Sequence, residues 1–359
     1  MKKENGIKMS YDYGYGELEN KLIELFRSGK PDFVAAGELI RQGADVNAIG
    51  KDPDENILSE ILQGYWWSNY GDDMPAECDD CEDENCEHCQ YRKVDKNPQL
   101  GKSMCEIIHF FLLNGFDVNK FNGCYGAQCL YALTLSTFDR YFFEATKILF
   151  DAGARNRNTS YDERLDGGTP WEFVESEGGY QDACVHNHSL GNIYEAVRQM
   201  YLAIDEERPY SGIDTYEAAV GKKILKVVAD RNDDKPIFYS KNLPDFKKHN
   251  CYNDTLYFVY EDGVLITTQY ADFWVDAEVS TNKGVDVSEH FPGIVGETIK
   301  QFKFDHRSVV KGTMHYGQPI TTIEMESGDS VTFSINFGDV KDEDRCAYFE
   351  IKKCGGICG

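Results

Sequence analysis

Along the first part of the chain, apolar side chains return every three or four residues, the period that gathers them on one face of a helix. Leu18, Leu22, Leu25 and Phe26 form one such stripe, ended by Gly29, Lys30 and Pro31, and Asp32 is placed to cap the next, which carries Phe33, Val34, Leu39 and Ile40. Further helices are expected over Ile57, Leu58, Ile61 and Leu62 towards Trp66 and Trp67, over Met104 to Leu113, over Leu130 to Leu135, and over Phe142, Phe143, Ile148 and Leu149. A last pair is expected around Trp171, Phe173 and Val174 and around Ile193, Val197, Met200, Tyr201 and Ile204.

After Asp205-Glu206-Glu207-Arg208-Pro209 the period changes from helical to alternating and β-branched, which puts a domain boundary near Ser211. Two hairpins stand out: Leu256 to Tyr260 turned at Glu261-Asp262-Gly263 into Val264 to Thr268, and Thr321 to Met325 turned at Ser327-Gly328-Asp329 into Val331 to Ile335. Each follows a similar lead strand, Val220-Gly221 through Val227 and Val295-Gly296 through Phe302. The shared order suggests an internal duplication; the alternative is independent reuse of common hairpin chemistry.

One phrase occurs three times: an apolar helical end, a glycine, and a short turn ending in asparagine. It reads Leu39-Ile40-Arg41-Gln42-Gly43-Ala44-Asp45-Val46-Asn47, Leu112-Leu113-Asn114-Gly115-Phe116-Asp117-Val118-Asn119, and Leu149-Phe150-Asp151-Ala152-Gly153-Ala154-Arg155-Asn156. Glycine accepts the left-handed conformation that closes a last helical turn, and Asp or Asn binds its own backbone to form a corner. This phrase resembles the ankyrin repeat, whose second helix ends in leucines followed by Gly-Ala-Asp-Val-Asn. Gly115 and Gly153 lie 38 residues apart, near a period of about 33. Gly43 and Gly115 lie 72 apart, so that interval holds an insertion. The family's other signature, Thr-Pro-Leu-His-x-Ala at a first helix, survives only as Thr169-Pro170, with weaker versions at Asn56-Ile57-Leu58 and Gln128-Cys129-Leu130.

The expected fold is therefore α+β and multidomain: an N-terminal α-helical ankyrin-like solenoid and a C-terminal β-rich domain. Residues 1–15 are read as a tail, 16–208 as ankyrin-like repeats with a Cys-rich insertion at about 68–102, 211–352 as the β domain, and 353–359 as a flexible tail.

Charge sharpens the picture. The 359 residues carry 37 basic and 62 acidic side chains, a net charge of −25. Such a field repels nucleic acid and anionic membrane and speeds encounter with basic partners. No apolar run approaches the roughly 20 residues that span a bilayer, and Lys2 and Lys3 are followed by no apolar segment of a secretory signal. A cytoplasmic location with reduced thiols is expected.

The strongest chemical constellation lies in the insertion: Cys78-Asp79-Asp80-Cys81 and Cys86-Glu87-His88-Cys89. Two Cys-x-x-Cys pairs supply four thiolates, the set that closes a tetrahedral structural zinc site. The alternatives are reversible disulfides and an unliganded loop. Cys184, His186 and His188 form a looser trio better read as solvated, and Cys354 and Cys358 are too few to close a site.

No nucleophile elbow and no Gly-x-x-x-x-Gly-Lys phosphate loop occurs, so an enzyme is not expected. The ankyrin resemblance instead implies recognition through turn tips and inner helices. Aromatics carry much of the energy at interface centres, so Phe121, Tyr125 and Tyr161 at the tips, with Trp66, Trp67 and Tyr70 beside the insertion, are the candidate partner-binding residues. The expected function is a non-enzymatic protein–protein interaction or scaffold protein. Its acidic surface also suits neutralisation of a basic partner, as an immunity protein does with a bacterial toxin. The alternative is a ligand-binding or enzymatic β domain, with Trp274, Tyr257 and Phe333 as pocket candidates, carried by an ankyrin-like targeting module.

Overall fold

Side-chain caps start the helical segments that open at Phe33, Ile57 and Pro170. The Asp32 carboxylate accepts from the Ala35 backbone N–H at 2.9 Å. Asn56 and Ser59 cap one another reciprocally, Oδ1 accepting from the Ser59 N–H at 2.9 Å and Oγ from the Asn56 N–H at 3.2 Å. Thr169 and Glu172 form the same reciprocal box ahead of a short helical turn that begins at Pro170. Each box satisfies two backbone donors that a helix start leaves without partners.

The computed structural model describes residues 14–27, 30–51, 56–70, 98–134, 139–160, 168–172, 188–230, 238–241, 249–252, 255–268, 271–307, 318–335 and 347–354. These form two units, one within residues 14–172 and one within 188–354.

The first unit is helical: α1 (Glu17–Arg27), α2 (Phe33–Arg41), α3 (Ile57–Tyr70), α4 (Pro98–Leu113), α5 (Cys124–Thr134) and α6 (Asp139–Asp151). Contacts pair α1 with α2, α3 with α4 and α5 with α6; α3 also lies beside α1 and α5, and α4 beside α6. Phe26 is fully buried and its ring meets those of Phe33, Phe110 and Phe111 at 5.6–5.7 Å.

The repeated phrase closes α2, α4 and α6 with one geometry. The residue after the glycine donates to a carbonyl five residues back: Ala44 to Leu39, Phe116 to Phe111, Ala154 to Leu149, at 2.9–3.0 Å. Gly43, Gly115 and Gly153 have φ of 109°, 90° and 104°, the left-handed region this closure demands. Gln128-Cys129-Leu130, expected near a helix start, instead lies in the second turn of α5, because the chain already turns helical at Cys124.

The second unit opens with α7 (His188–Asp205), which departs from expectation. It was expected to close the repeats of residues 16–208, but it packs on strands of the β unit. Ile193, Val197, Met200 and Tyr201 are buried, and the Asn192 side-chain carbonyl accepts from the Phe273 N–H at 3.1 Å. Helical periodicity announces an apolar face without specifying what covers it.

Among the described residues twelve strands follow: β1 (Ile213–Thr215), β2 (Lys226–Ala229), β3 (Phe238–Lys241), β4 (His249–Tyr252), β5 (Leu256–Tyr260), β6 (Gly263–Thr267), β7 (Phe273–Asp276), β8 (Val285–Asp286), β9 (Ile299–Arg307), β10 (Gln318–Met325), β11 (Ser330–Ile335) and β12 (Ala347–Lys352). They form two antiparallel six-stranded sheets, ordered β1-β7-β6-β5-β2-β8 and β3-β4-β12-β11-β10-β9. Both expected hairpins are present, as β5–β6 and β10–β11. The sheets meet through rings: Phe333 lies 6.0 Å from Phe258 and 5.2 Å from Phe273, and Phe273 lies 6.2 Å from Phe302.

The lead strands begin later than expected, at Lys226 and Ile299, because the segments before them pair with each other. Lys223 and Thr298 form an antiparallel bridge. Gly221 N–H donates to Ile299 O and Gly296 N–H to Ile224 O, each at 2.8 Å; Ile299 N–H donates to Lys222 O and Ile224 N–H to Glu297 O, each at 2.9 Å. Aligning Val220-Gly221 on Val295-Gly296 exchanges each bond with its mate. The two lead segments are therefore related by a local two-fold, and each feeds a meander of the same order, β2-β5-β6-β7 and β9-β10-β11-β12.

Candidate functional site

The turns that close α2 and α4 are locked by the same local bond. Asp45 Oδ1 accepts from the Asn47 N–H at 2.8 Å, and Asp117 Oδ1 from the Asn119 N–H at 2.9 Å. These bonds hold the tips in tight corners.

The tips are then tied to one another. The Asn47 side chain donates from Nδ2 to Gly115 O at 2.9 Å and accepts at Oδ1 from the Asp117 N–H at 2.8 Å. Lys120 Nζ donates to Asn47 O at 2.6 Å, and Arg157 Nη1 donates to Asn122 O at 2.8 Å. Lys120 and Arg157 each directly follow the asparagine of their own phrase. At both positions a cation reaches back to a backbone carbonyl of the preceding tip.

The tip between Asn119 and Cys124 carries the unusual backbone. Phe121, Asn122 and Gly123 have φ of 51°, 57° and 90°, three left-handed residues in a row. Glycine accepts this and asparagine tolerates it, but phenylalanine incurs roughly 1–2 kcal/mol of steric cost. Phe121 is nevertheless 44% exposed. It stands edge-on to Tyr125 at 5.4 Å, with the Lys120 ammonium 5.5 Å from its centroid and 5.2 Å from that of Tyr125. Ile49, which aligns with Phe121 two residues after the phrase's asparagine, is 47% exposed. Adjacent tips thus present an apolar residue at the same position, with Asp45 and Asp117 exposed on the same turns.

Tyr125 corrects the expectation that it is a partner-binding residue: it is wholly buried, stacked on Phe116 at 5.9 Å. Burial, then the nearby Asp45 charge, pushes its phenol up to about 12. As the second residue of α5 it faces the helices, which its place near a tip did not reveal. Beneath it, Asn56 Nδ2 donates to Gln128 Oε1 at 2.8 Å and to Tyr125 O at 3.2 Å, and Gln128 Nε2 donates to Thr159 O at 3.0 Å. This buried polar network fixes α5 against its neighbours.

Trp66, Trp67 and Tyr70 fall on α3, but their side chains lie outside the described residues, as do Tyr161 and the four cysteines Cys78, Cys81, Cys86 and Cys89. No group of three or more His, Cys, Asp or Glu suited to a metal occurs among the described residues. Cys105 and Cys129 are buried and burial pushes both thiols up, Cys105 to about 12, so neither is a thiolate near neutrality. Cys354, expected in a flexible tail, donates its N–H to Asp329 Oδ1 at 2.8 Å. Of the β-domain pocket candidates, Phe333 and Trp274 are core residues and Tyr257 is half-buried. Asn47, Ile49 and Lys120 lie on the tips that the ankyrin resemblance maps, Asn47-Ala48-Ile49 and Lys120 to Tyr125, though none is among the candidate partner-binding residues; Arg157, which follows the third phrase's asparagine as Lys120 follows the second's, was not singled out.

No protein-family model matches the chain, and no curated protein or solved structure matches it. No helix among the described residues is long and apolar enough to cross a membrane.

Proposed function

We propose that this chain is a non-enzymatic binding protein that grips a protein partner with the tips of an ankyrin-like array of helix pairs. The observation that carries the reading is Phe121, exposed on a left-handed turn and aligned with exposed Ile49 on the neighbouring tip. The array itself is supported by the α1-α3-α5 order and by one closing turn used three times. A net charge of −25 favours a basic partner, and neutralising a basic toxin in the cytoplasm is the specific form this takes. Zinc held by Cys78, Cys81, Cys86 and Cys89 would staple the insertion without catalysing.

Affinity capture from the source cells with wild type and with Phe121→Ala/Ile49→Ala tests the reading. A basic protein should be retained by wild type, released as salt rises, and lost from the double variant while far-UV circular dichroism is unchanged. Equal retention by both, or salt-insensitive retention of neutral partners, overturns it.

A further inference from the structure

The second sheet ends on β9, the longest of the described strands, nine residues from Ile299 to Arg307. Which of its backbone groups face outward follows from the neighbouring hairpin. Met325 N–H donates to Asp329 O at 2.8 Å, so Met325 turns its backbone to β11, and alternation turns that of Glu324, Thr322, Ile320 and Gln318 to β9. Their register partners Gln301, Lys303, Asp305 and Arg307 therefore face β10, which leaves the N–H and C=O of Phe302, Phe304 and His306 on the outer edge.

Ile299 bonds outward to Gly221 and Lys222, so that segment closes the edge at its start. Beyond it, no backbone bond to the outward groups of β9 occurs among the described residues. The rings of Phe302 and Phe304 meet that of Tyr216 at 4.9 and 5.1 Å, which holds the strand in place. Lys303, on the opposite face, donates to Glu324 and its side chain is still 55% exposed. An open edge of this length is a template for another strand.

We propose that β9 pairs antiparallel with β9 of a second copy of this chain, about a two-fold axis at Phe304. Phe304 then bonds with Phe304 of the second copy and Phe302 with His306, which uses every outward group. Lys303 stands opposite Asp305 on both sides of the axis, in the closely spaced pairs where cross-strand side chains interact most. Charge and length select this register. An axis at Lys303 sets that lysine against itself, and one at Asp305 sets Asp305 against itself and Lys303 against Arg307. An axis at Phe302 runs the second strand into Gly221 and Lys222, and one at His306 runs most of the pairs past the end of β9. The contact is the same patch on both copies, so it closes at a dimer. It uses no tip residue, so either proposal stands if the other fails.

Sedimentation velocity of the full chain across a concentration series tests it, with a dimer expected. Asp305→Lys should weaken that dimer about tenfold or more, because it sets lysine opposite lysine on both sides of the axis. Overall charge predicts the reverse, since the change lowers the mutual repulsion of chains that each carry −25. His306→Pro should abolish the dimer by removing an outward N–H, while His306→Ala, which keeps it, should associate as wild type. Far-UV circular dichroism should be unchanged in each variant. A monomer at every concentration, association beyond two copies, or a dimer that survives Asp305→Lys or His306→Pro overturns the proposal.

Discussion

Asn47 and Asp117, seventy residues apart, are joined at 2.8 Å by a bond from the Asp117 backbone N–H to the Asn47 side-chain oxygen. The same side chain donates to Gly115 O, so one amide fastens the turn after α2 to the turn after α4 across the insertion. Asn47→Ala should lower stability by about 1–2 kcal/mol, two neutral hydrogen bonds' worth, read from the urea midpoint at constant slope.

Phe121 should matter more for binding than for folding. Phe121→Gly removes left-handed strain of roughly 1–2 kcal/mol and forfeits an edge-on ring contact of about 0.5–1.5 kcal/mol. Its melting temperature should stay close to wild type while partner retention falls. A large loss of stability would show that the ring is structural.

Gly126 in α5 approaches the turns that follow α4 and α6 so closely that an added Cβ would sit 2.8 Å from Ala154 Cβ and 3.0 Å from Val118 O. Its own N–H donates to Val118 O at 2.9 Å. Gly126→Ala should therefore cost about 1–3 kcal/mol despite alanine's better helix propensity, and chemical denaturation measures it.

Alkali should unfold the protein through its tyrosines. Burial, followed by Asp45 for Tyr125 and by Asp230 for Tyr257, raises both phenols to about 12, and burial raises Tyr201, Tyr252 and Tyr260 as well. A phenol whose folded pKa lies above its unfolded value of about 10 stabilises fully below that pH, and the contribution fades as pH climbs towards the folded value. Stability should decline between about pH 10 and 12, with phenolate absorbance appearing together with loss of circular dichroism. Tyr125→Phe should flatten that decline.

Protein purified without chelator should carry about one zinc per chain, lost in Cys78→Ser/Cys81→Ser. Elemental analysis decides this, and absence of zinc would leave the insertion without its proposed staple.

Part of the architecture was legible because it is written in neighbouring residues. Gly43, Gly115 and Gly153 announce a left-handed closure, and Asp45 and Asp117 supply the bond that shapes the first two corners. The two hairpins were equally readable, since alternation and turn residues act over a few positions. Tyr125 was not: it lies four residues from exposed Phe121, yet its ring faces Phe116 and the helices. Nor was the polar face across β9 to β12, because Lys303, Glu324 and Lys352 share it only through a register linking residues far apart in the chain.

What the chain determined alone is the set of elements and their local closures: helical period, glycine turns, caps, hairpins and an acidic surface. Each depends on steric and hydrogen-bonding preferences within a few residues. Tertiary structure decided which partner each apolar face receives, sending α7 to the strands through Asn192 and Phe273 and pairing Gly221–Ile224 with Gly296–Ile299. Burial is indifferent to sequence distance, so a stripe of apolar residues specifies that a face will be covered and leaves the cover to packing.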